Sequence, residues 1–389
     1  MTETTAATLP RATAAARPAF PLHLAAVLFA ATSVVVGVIW DISWHRSIGR
    51  DTFWTPAHMA IYLGGIVAGV ACGWLVLRTT FAGTDAERRA SVRFWGFQGP
   101  LGAWVSIWGA IAMITSAPFD NWWHNAYGLD VKILSPPHVL LAIGFTGIQV
   151  GALLMLAARQ NDDAPDDPNA RAYRWWFAYA AGLLVANLAI MWMESIGFPN
   201  QAHTAAYYKI CAGAFPILLV ATARTSTLRW PATTAAAVYM AVNIVLLWLL
   251  PLFPATPQLA PIYNAVDHFV PPPFPLLLVV PAVVIDVVLR RGPENDWARS
   301  ALIGIGFVLL LLAVQWYWAI YLVSPASENF VFGTQRWNYN VLLRGWEHQF
   351  WNLRDSPLTL PGAVTAIALA VTGSRLGLWW GGWMARVRR

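Results

Sequence analysis

The chain has 389 residues, of which 58% are hydrophobic and only 11% charged, and it carries a net charge of +6. Soluble domains hold roughly 25% charged residues, so this supply cannot cover a water-facing surface, and a soluble enzyme, a disordered chain and a fibrous repeat are excluded. The composition predicts an all-α polytopic transmembrane helix bundle, and the 23 Trp and 11 Tyr fit it, because both gather at bilayer interfaces.

A spanning helix needs about 20 mostly apolar residues. Residues 1–21 are polar, with Arg11 and Arg17, and predict a cytoplasmic tail; no small-residue cleavage site closes the first apolar run, so that run is retained. Apolar runs then predict about ten spans, at 22–44, 56–79, 97–118, 137–158, 174–197, 206–223, 232–251, 273–290, 300–324 and 358–374. The last is the weakest, since Arg375 interrupts it and the Trp-rich stretch Leu376 to Trp383 is expected in the interface. Organisation follows the spans: paired hairpins over 22–158, further hairpins over 159–324, a Trp-rich loop over 325–357, and a last span with a basic terminus over 358–389.

Lysine and arginine set the orientation. Of the 25 such residues, seven fall in the odd-numbered loops (Arg46, Arg50, Lys132, Lys209, Arg336, Arg344 and Arg354), and the other 18 lie in the N-terminal tail, the even loops and the C-terminus. The split predicts both termini in the cytoplasm, odd loops outside, and a bacterial-type inner membrane. Charge spread over short loops is a topology signal and not a nucleic-acid footprint, so no nucleic-acid partner is expected. Cys72 and Cys211 sit in apolar runs, which excludes a disulfide framework.

The odd side collects the histidines: His45, His58, His124, His138, His203, His268 and His348 all lie there, and only His23 does not. Two segments repeat a pattern, DISWHRSIGRDTFWTPAH from Asp41 to His58 and DNWWHNAYGLDVKILSPPH from Asp120 to His138. In each, Asp and His stand at i and i+4 near the end of an outgoing span, which puts both on one helix face. Each returning span begins Ser/Thr-Pro-x-His, with Thr55 or Ser135 suited to the N-cap and Pro56 or Pro136 to the first helical position. His58 and His138 then fall in a first helical turn, able to meet the Asp/His pair. Two imidazoles and a carboxylate suit a divalent transition metal, and iron(II) or zinc as well as copper. The expected metal ligands are therefore Asp41, His45 and His58 at one site and Asp120, His124 and His138 at a second. Asp51 and Asp130 either orient a ligand imidazole or pair with Arg50 and Lys132.

These words carry a resemblance. The segment Asp41 to His58, with its Arg50-Asp51-Thr52 and Thr55-Pro56-Ala57-His58 pieces, resembles the C subunit of the copper membrane monooxygenases, the particulate methane and ammonia monooxygenase family. The resemblance covers roughly residues 25–155. It implies a copper site at Asp41, His45 and His58, where catalysis would occur, and a second at Asp120, His124 and His138, with Asp120 where the family has Asn. It further implies dioxygen and a small apolar substrate or ammonia, and partner subunits or a homo-oligomer within the lipid bilayer. The family subunit is shorter, and the spans after about residue 230 have no counterpart in it. Two other readings stay open: a membrane copper- or zinc-handling protein without redox turnover, and a bis-histidine haem quinol oxidoreductase using His45 with His138. Thiolate and thioether ligands, which copper(I) carriers favour, are scarce near both motifs.

The later hairpins read as weakened relatives. Glu194 and His203, and Asp267-His268 before Pro271-Pro272-Pro273, lack the ligand spacing. Trp337, Tyr339, Trp346, Phe350 and Trp351 predict an interfacial cap or a docking surface.

Overall fold

Apolar runs in hydrocarbon must satisfy every backbone N–H and C=O internally, and a helix does so within one segment. The computed structural model describes residues 19–49, 52–128, 135–162, 167–199, 201–256, 266–337, 339 and 357–388, and these fold as a helix bundle. Its elements are α1 (Leu22–Ser47), α2 (Pro56–Ala82), α3 (Asp85–Arg89), β1 (Val92–Phe94), β2 (Phe97–Gly99), α4 (Leu101–Tyr127), α5 (Pro136–Asn161), α6 (Ala170–Met191), α7 (Met193–Ile196), α8 (Ala205–Thr225), α9 (Pro231–Leu249), α10 (Val279–Arg291), α11 (Asp296–Leu322) and α12 (Leu360–Met384). Among the described residues, nine helices are long and apolar enough to cross a membrane. The chain is a multi-pass membrane protein.

Helices α1, α2, α4 and α5 pack as a closed four-helix unit, with α6, α8, α9, α10, α11 and α12 continuing from it. Lipid tails are as apolar as leucine, so close backbone approach holds such helices together. On α4 and α5 this is extreme. A Cβ at Gly109 would stand 2.5 Å from the Gly144 carbonyl oxygen, and one at Gly102 would stand 2.4 Å from that of Gly151. A second seam joins α12 to α8, where Gly373, Gly377 and Gly381 recur every fourth residue against the carbonyls of Gly213, Ile217 and Ala221.

Three limits differ from those of the expected spans. The third begins at Leu101 because residues 92–99 form a β-hairpin, whose turn residues Trp95 and Gly96 take φ of 48° and 85°. Both are left-handed, as a tight two-residue hairpin turn requires. The same helix passes through Pro118 and runs to Tyr127, so Asp120 and His124 are helical. The last span does not stop at Arg375: α12 continues to Met384, and Leu376 to Trp383 are helical. Arg375 is tolerated because its guanidinium reaches Asp296 at 4.0 Å and lies 5.5 Å from the Trp297 ring centroid.

The eighth expected span, 273–290, is not a full helix. Its helical part, α10, has 13 residues, about 20 Å of rise, short of a hydrocarbon core of about 30 Å. The chain before it is extended. Pro271, Pro272, Pro273 and Pro275 cannot join a helix interior, and neighbours satisfy the backbone instead. Ser43 Oγ donates to the Val270 carbonyl at 2.8 Å, and Ser47 Oγ accepts from Val270 N at 2.7 Å. Arg46 Nη1 donates to the Pro271 carbonyl at 2.6 Å, and Leu276 N donates to Tyr239 Oη at 3.0 Å. At the far end Asp286 accepts from Ala232 N, Thr233 N and Thr233 Oγ1, at 3.1, 2.8 and 2.7 Å. One end of residues 270–291 is thus pinned to the last turns of α1 and the other to the first turn of α9. Residues 270–291 are half extended and half helical.

Candidate metal centre

At the end of the bundle where α1 passes to α2, Asp41 stands between two imidazoles. Its Oδ2 lies 3.7 Å from His45 Nε2, one turn along α1, and its Oδ1 lies 3.3 Å from His58 Nε2 on α2. Helix α2 begins as expected, with Thr55 at the N-cap in extended conformation and Pro56 at the first helical position, so His58 occurs in the first turn. The cap differs in one respect: the Thr55 hydroxyl makes no capping hydrogen bond and is buried without a partner. Tyr62, one turn beyond His58, sets its ring 5.9 Å from the imidazole centroid and packs on Phe53.

The second hairpin repeats this arrangement atom for atom. Asp120 Oδ2 lies 3.3 Å from His124 Nε2 on α4, and its Oδ1 lies 3.4 Å from His138 Nε2 on α5. Ser135 occupies the N-cap in extended conformation, Pro136 follows, and the Ser135 hydroxyl is likewise buried without a partner. Each Asp thus stands beside both imidazoles expected to share its metal, Asp41 beside His45 and His58, and Asp120 beside His124 and His138. The copies differ in their walls. Ala142 holds the position that Tyr62 holds in the first, and the second is flanked by Phe119, stacked on Trp122, and by Trp123. They differ in access too: the His45 side chain is 49% exposed, against 23% for its counterpart His124.

Whether these residues fit a metal is decided by distance and by orphaned oxygens. Charge-assisted N–H···O hydrogen bonds measure about 2.7–2.9 Å, shorter than the four separations of 3.3–3.7 Å. Ligands at about 2.0–2.2 Å from a tetrahedral ion stand about 3.3–3.6 Å apart, which three of the four separations meet. In both copies the Asp Oδ1 atom is buried and accepts no hydrogen bond. A buried carboxylate oxygen is costly without a cation or a donor. Against these observations, no group of three or more His, Cys, Asp or Glu among the described residues is gathered tightly enough to form a complete ligand cluster. The carboxylate geometry nonetheless recurs at the same atoms of two separate hairpins.

The other polar residues of this end serve elsewhere. His203 is 3% exposed, stacks on Trp316 with ring centroids 3.6 Å apart, and places Nε2 3.0 Å from the Trp316 carbonyl. Burial holds its imidazole below the ordinary range. Asp267 is exposed and sits 2.8 Å from His268 Nδ1, which holds its carboxyl below the usual carboxylate range. Neither joins a triad. Arg50, Asp51, Asp130, Lys132, Arg344, Trp346, His348, Phe350, Trp351 and Arg354 lie outside the described residues, as does the Glu194 side chain. Trp337 and Tyr339 do pack, with ring centroids 4.4 Å apart, and Arg46 lies 5.9 Å from the Trp337 centroid. Tyr62 was not expected at the site, although its i+4 spacing from His58 was a readable signal. Set against known protein families, curated proteins and solved structures, the chain matches none.

Proposed function

We propose that this protein is a membrane metalloprotein that holds copper at Asp41, His45 and His58 and at Asp120, His124 and His138. It would oxidise a small apolar substrate or ammonia with dioxygen, as the resemblance to the copper monooxygenase C subunit implies. The observation that carries the reading is the repeated carboxylate set between two imidazoles, with one buried oxygen orphaned each time. Bound copper would supply the one-electron chemistry that dioxygen needs. The chain's own part is to fix the ligands. Helical i, i+4 spacing ties Asp41 to His45 and Asp120 to His124, and the Pro-started helices deliver His58 and His138 to the same carboxylates. Tyr62 packs between His58 and Phe53 beside the first site.

In this reading the protein sits in a bacterial inner membrane, with both termini cytoplasmic and the triads at the outer end, in company with partner subunits or further copies of itself. Iron or zinc would suit the same donors. A second reading, metal handling without redox turnover, draws support from the 49% exposure of the His45 side chain, which leaves a ligand open to exchange. Metal analysis and electron paramagnetic resonance of protein purified after copper, zinc or iron supplementation test both. Two copper ions per chain, falling to one in His45→Ala with His58→Ala and to one in His124→Ala with His138→Ala, support the proposal. Unchanged stoichiometry in both double variants refutes the sites. Bound copper that cannot be reduced and reoxidised favours handling over oxidation.

A further inference from the structure

Extended backbone at membrane depth is tolerated only where protein buries it or where it lines a cavity. The extended start of residues 270–291 is clasped by Ser43, Arg46 and Ser47 of α1. Deeper along it a pocket of about 60 Å³ remains, bordered by the segment Pro272 to Leu276. Its walls are apolar: Ile39 from α1, Ile190 from α6, and Phe198 and Phe274. Two polar side chains of α9, Tyr239 and Asn243, also line it, and no charged residue does.

The hydrogen-bonding capacity of those two groups is specific. Asn243 Nδ2 is engaged with the Tyr239 carbonyl at 2.8 Å, which leaves its amide oxygen as an acceptor. Tyr239 Oη accepts from Leu276 N at 3.0 Å, which leaves its own O–H proton to donate. One acceptor and one donor in an otherwise apolar, uncharged pocket match a hydroxyl group, which both donates and accepts. They match neither an ion nor a pure hydrocarbon. One water needs about 10–15 Å³ of such space, so the pocket admits about four non-hydrogen atoms.

We infer that this pocket is a binding site for a short-chain alcohol, with its hydroxyl between Asn243 Oδ1 and the Tyr239 O–H and its alkyl chain against Ile39, Ile190 and Phe274. The site is separate from the triads. Ile39 and Asp41 are two positions apart, about 200° around the helix, so α1 stands between the pocket and the first carboxylate. The inference does not rest on the metal reading.

Fluorine NMR of 2-fluoroethanol, whose size matches the pocket, with the full chain in lipid nanodiscs tests it. The expected result is a saturable bound component, absent from protein-free nanodiscs, that 1-propanol displaces and propane does not. Loss of one hydrogen bond in Asn243→Leu should weaken binding about fivefold. Ala189 also lines the pocket; filling the space with Ala189→Phe should abolish binding, with the unfolding midpoint of each variant measured alongside. Ala189→Phe carries the test alone if Asn243→Leu is unstable. No saturable component, or equal binding by Ala189→Phe and wild type, overturns the inference.

Discussion

The tight seam between α4 and α5 makes a quantitative prediction. In Gly109→Ala the new Cβ would stand 2.5 Å from the Gly144 carbonyl oxygen, 2.7 Å from Ile148 N and 3.0 Å from the Gly147 carbonyl carbon. Ordinary contact begins at 3.4 Å, so the helices must part by about 0.9 Å there, the difference between 3.4 and 2.5 Å. All three obstacles are backbone atoms, and no rotamer change relieves them. Overpacking of this kind costs about 1–3 kcal/mol, and the backbone obstacles put the cost at the upper end. The gain in helix propensity from Gly to Ala offsets about 1 kcal/mol. A net loss of about 2 kcal/mol is expected, measured as the shift in unfolding free energy in mixed micelles. Gly73→Ala and Gly382→Ala, where the new Cβ meets nothing within 4 Å, are controls that should be neutral or slightly stabilising. Gly144→Ala should cost the same as Gly109→Ala, and the double variant less than the sum, because the helices part only once. The same displacement should loosen the Asp120, His124 and His138 set, which spans α4 and α5, and spare Asp41, His45 and His58. If Gly109→Ala is as stable as Gly73→Ala, the close approach is wrong, and so is the second carboxylate's position between its imidazoles.

Three further outcomes can be measured directly. Asp286→Ala strips two backbone amides and the Thr233 hydroxyl of their acceptor; a loss of about 3 kcal/mol in unfolding free energy is expected, and Asp286→Asn should fall between it and wild type. Since burial lowers the His203 pKa, the unfolded chain takes up that proton first: stability is full above about pH 6.5 and falls as the pH drops below it, with a shallower slope in His203→Gln when unfolding midpoints are compared between pH 7 and pH 5. A reporter active only outside the cytoplasm, fused after Arg389, should be silent, whereas the same reporter placed in the loop between α11 and α12 should be active; the reverse pattern would overturn the orientation.

The membrane character and most helix limits are legible in the sequence because they are local. A run of about 20 apolar residues has no alternative to a helix in hydrocarbon, and i, i+4 spacing places Asp41 beside His45 wherever the helix goes. The repeated Ser/Thr-Pro-x-His words likewise put His58 and His138 in a first turn. Three matters were decided only by tertiary packing. That each Asp carboxylate faces both imidazoles depends on how α1 meets α2 and α4 meets α5, which glycines set by close approach to carbonyls of the facing helix. That Arg375 is carried within α12 depends on Asp296 and Trp297 of α11, more than 70 positions away in the chain. And the proline-rich eighth run is half extended because its freed backbone groups find Ser43, Arg46, Ser47 and Tyr239 on other helices. Periodicity cannot report such partners: a broken span is stable only once the helices that satisfy it are in place.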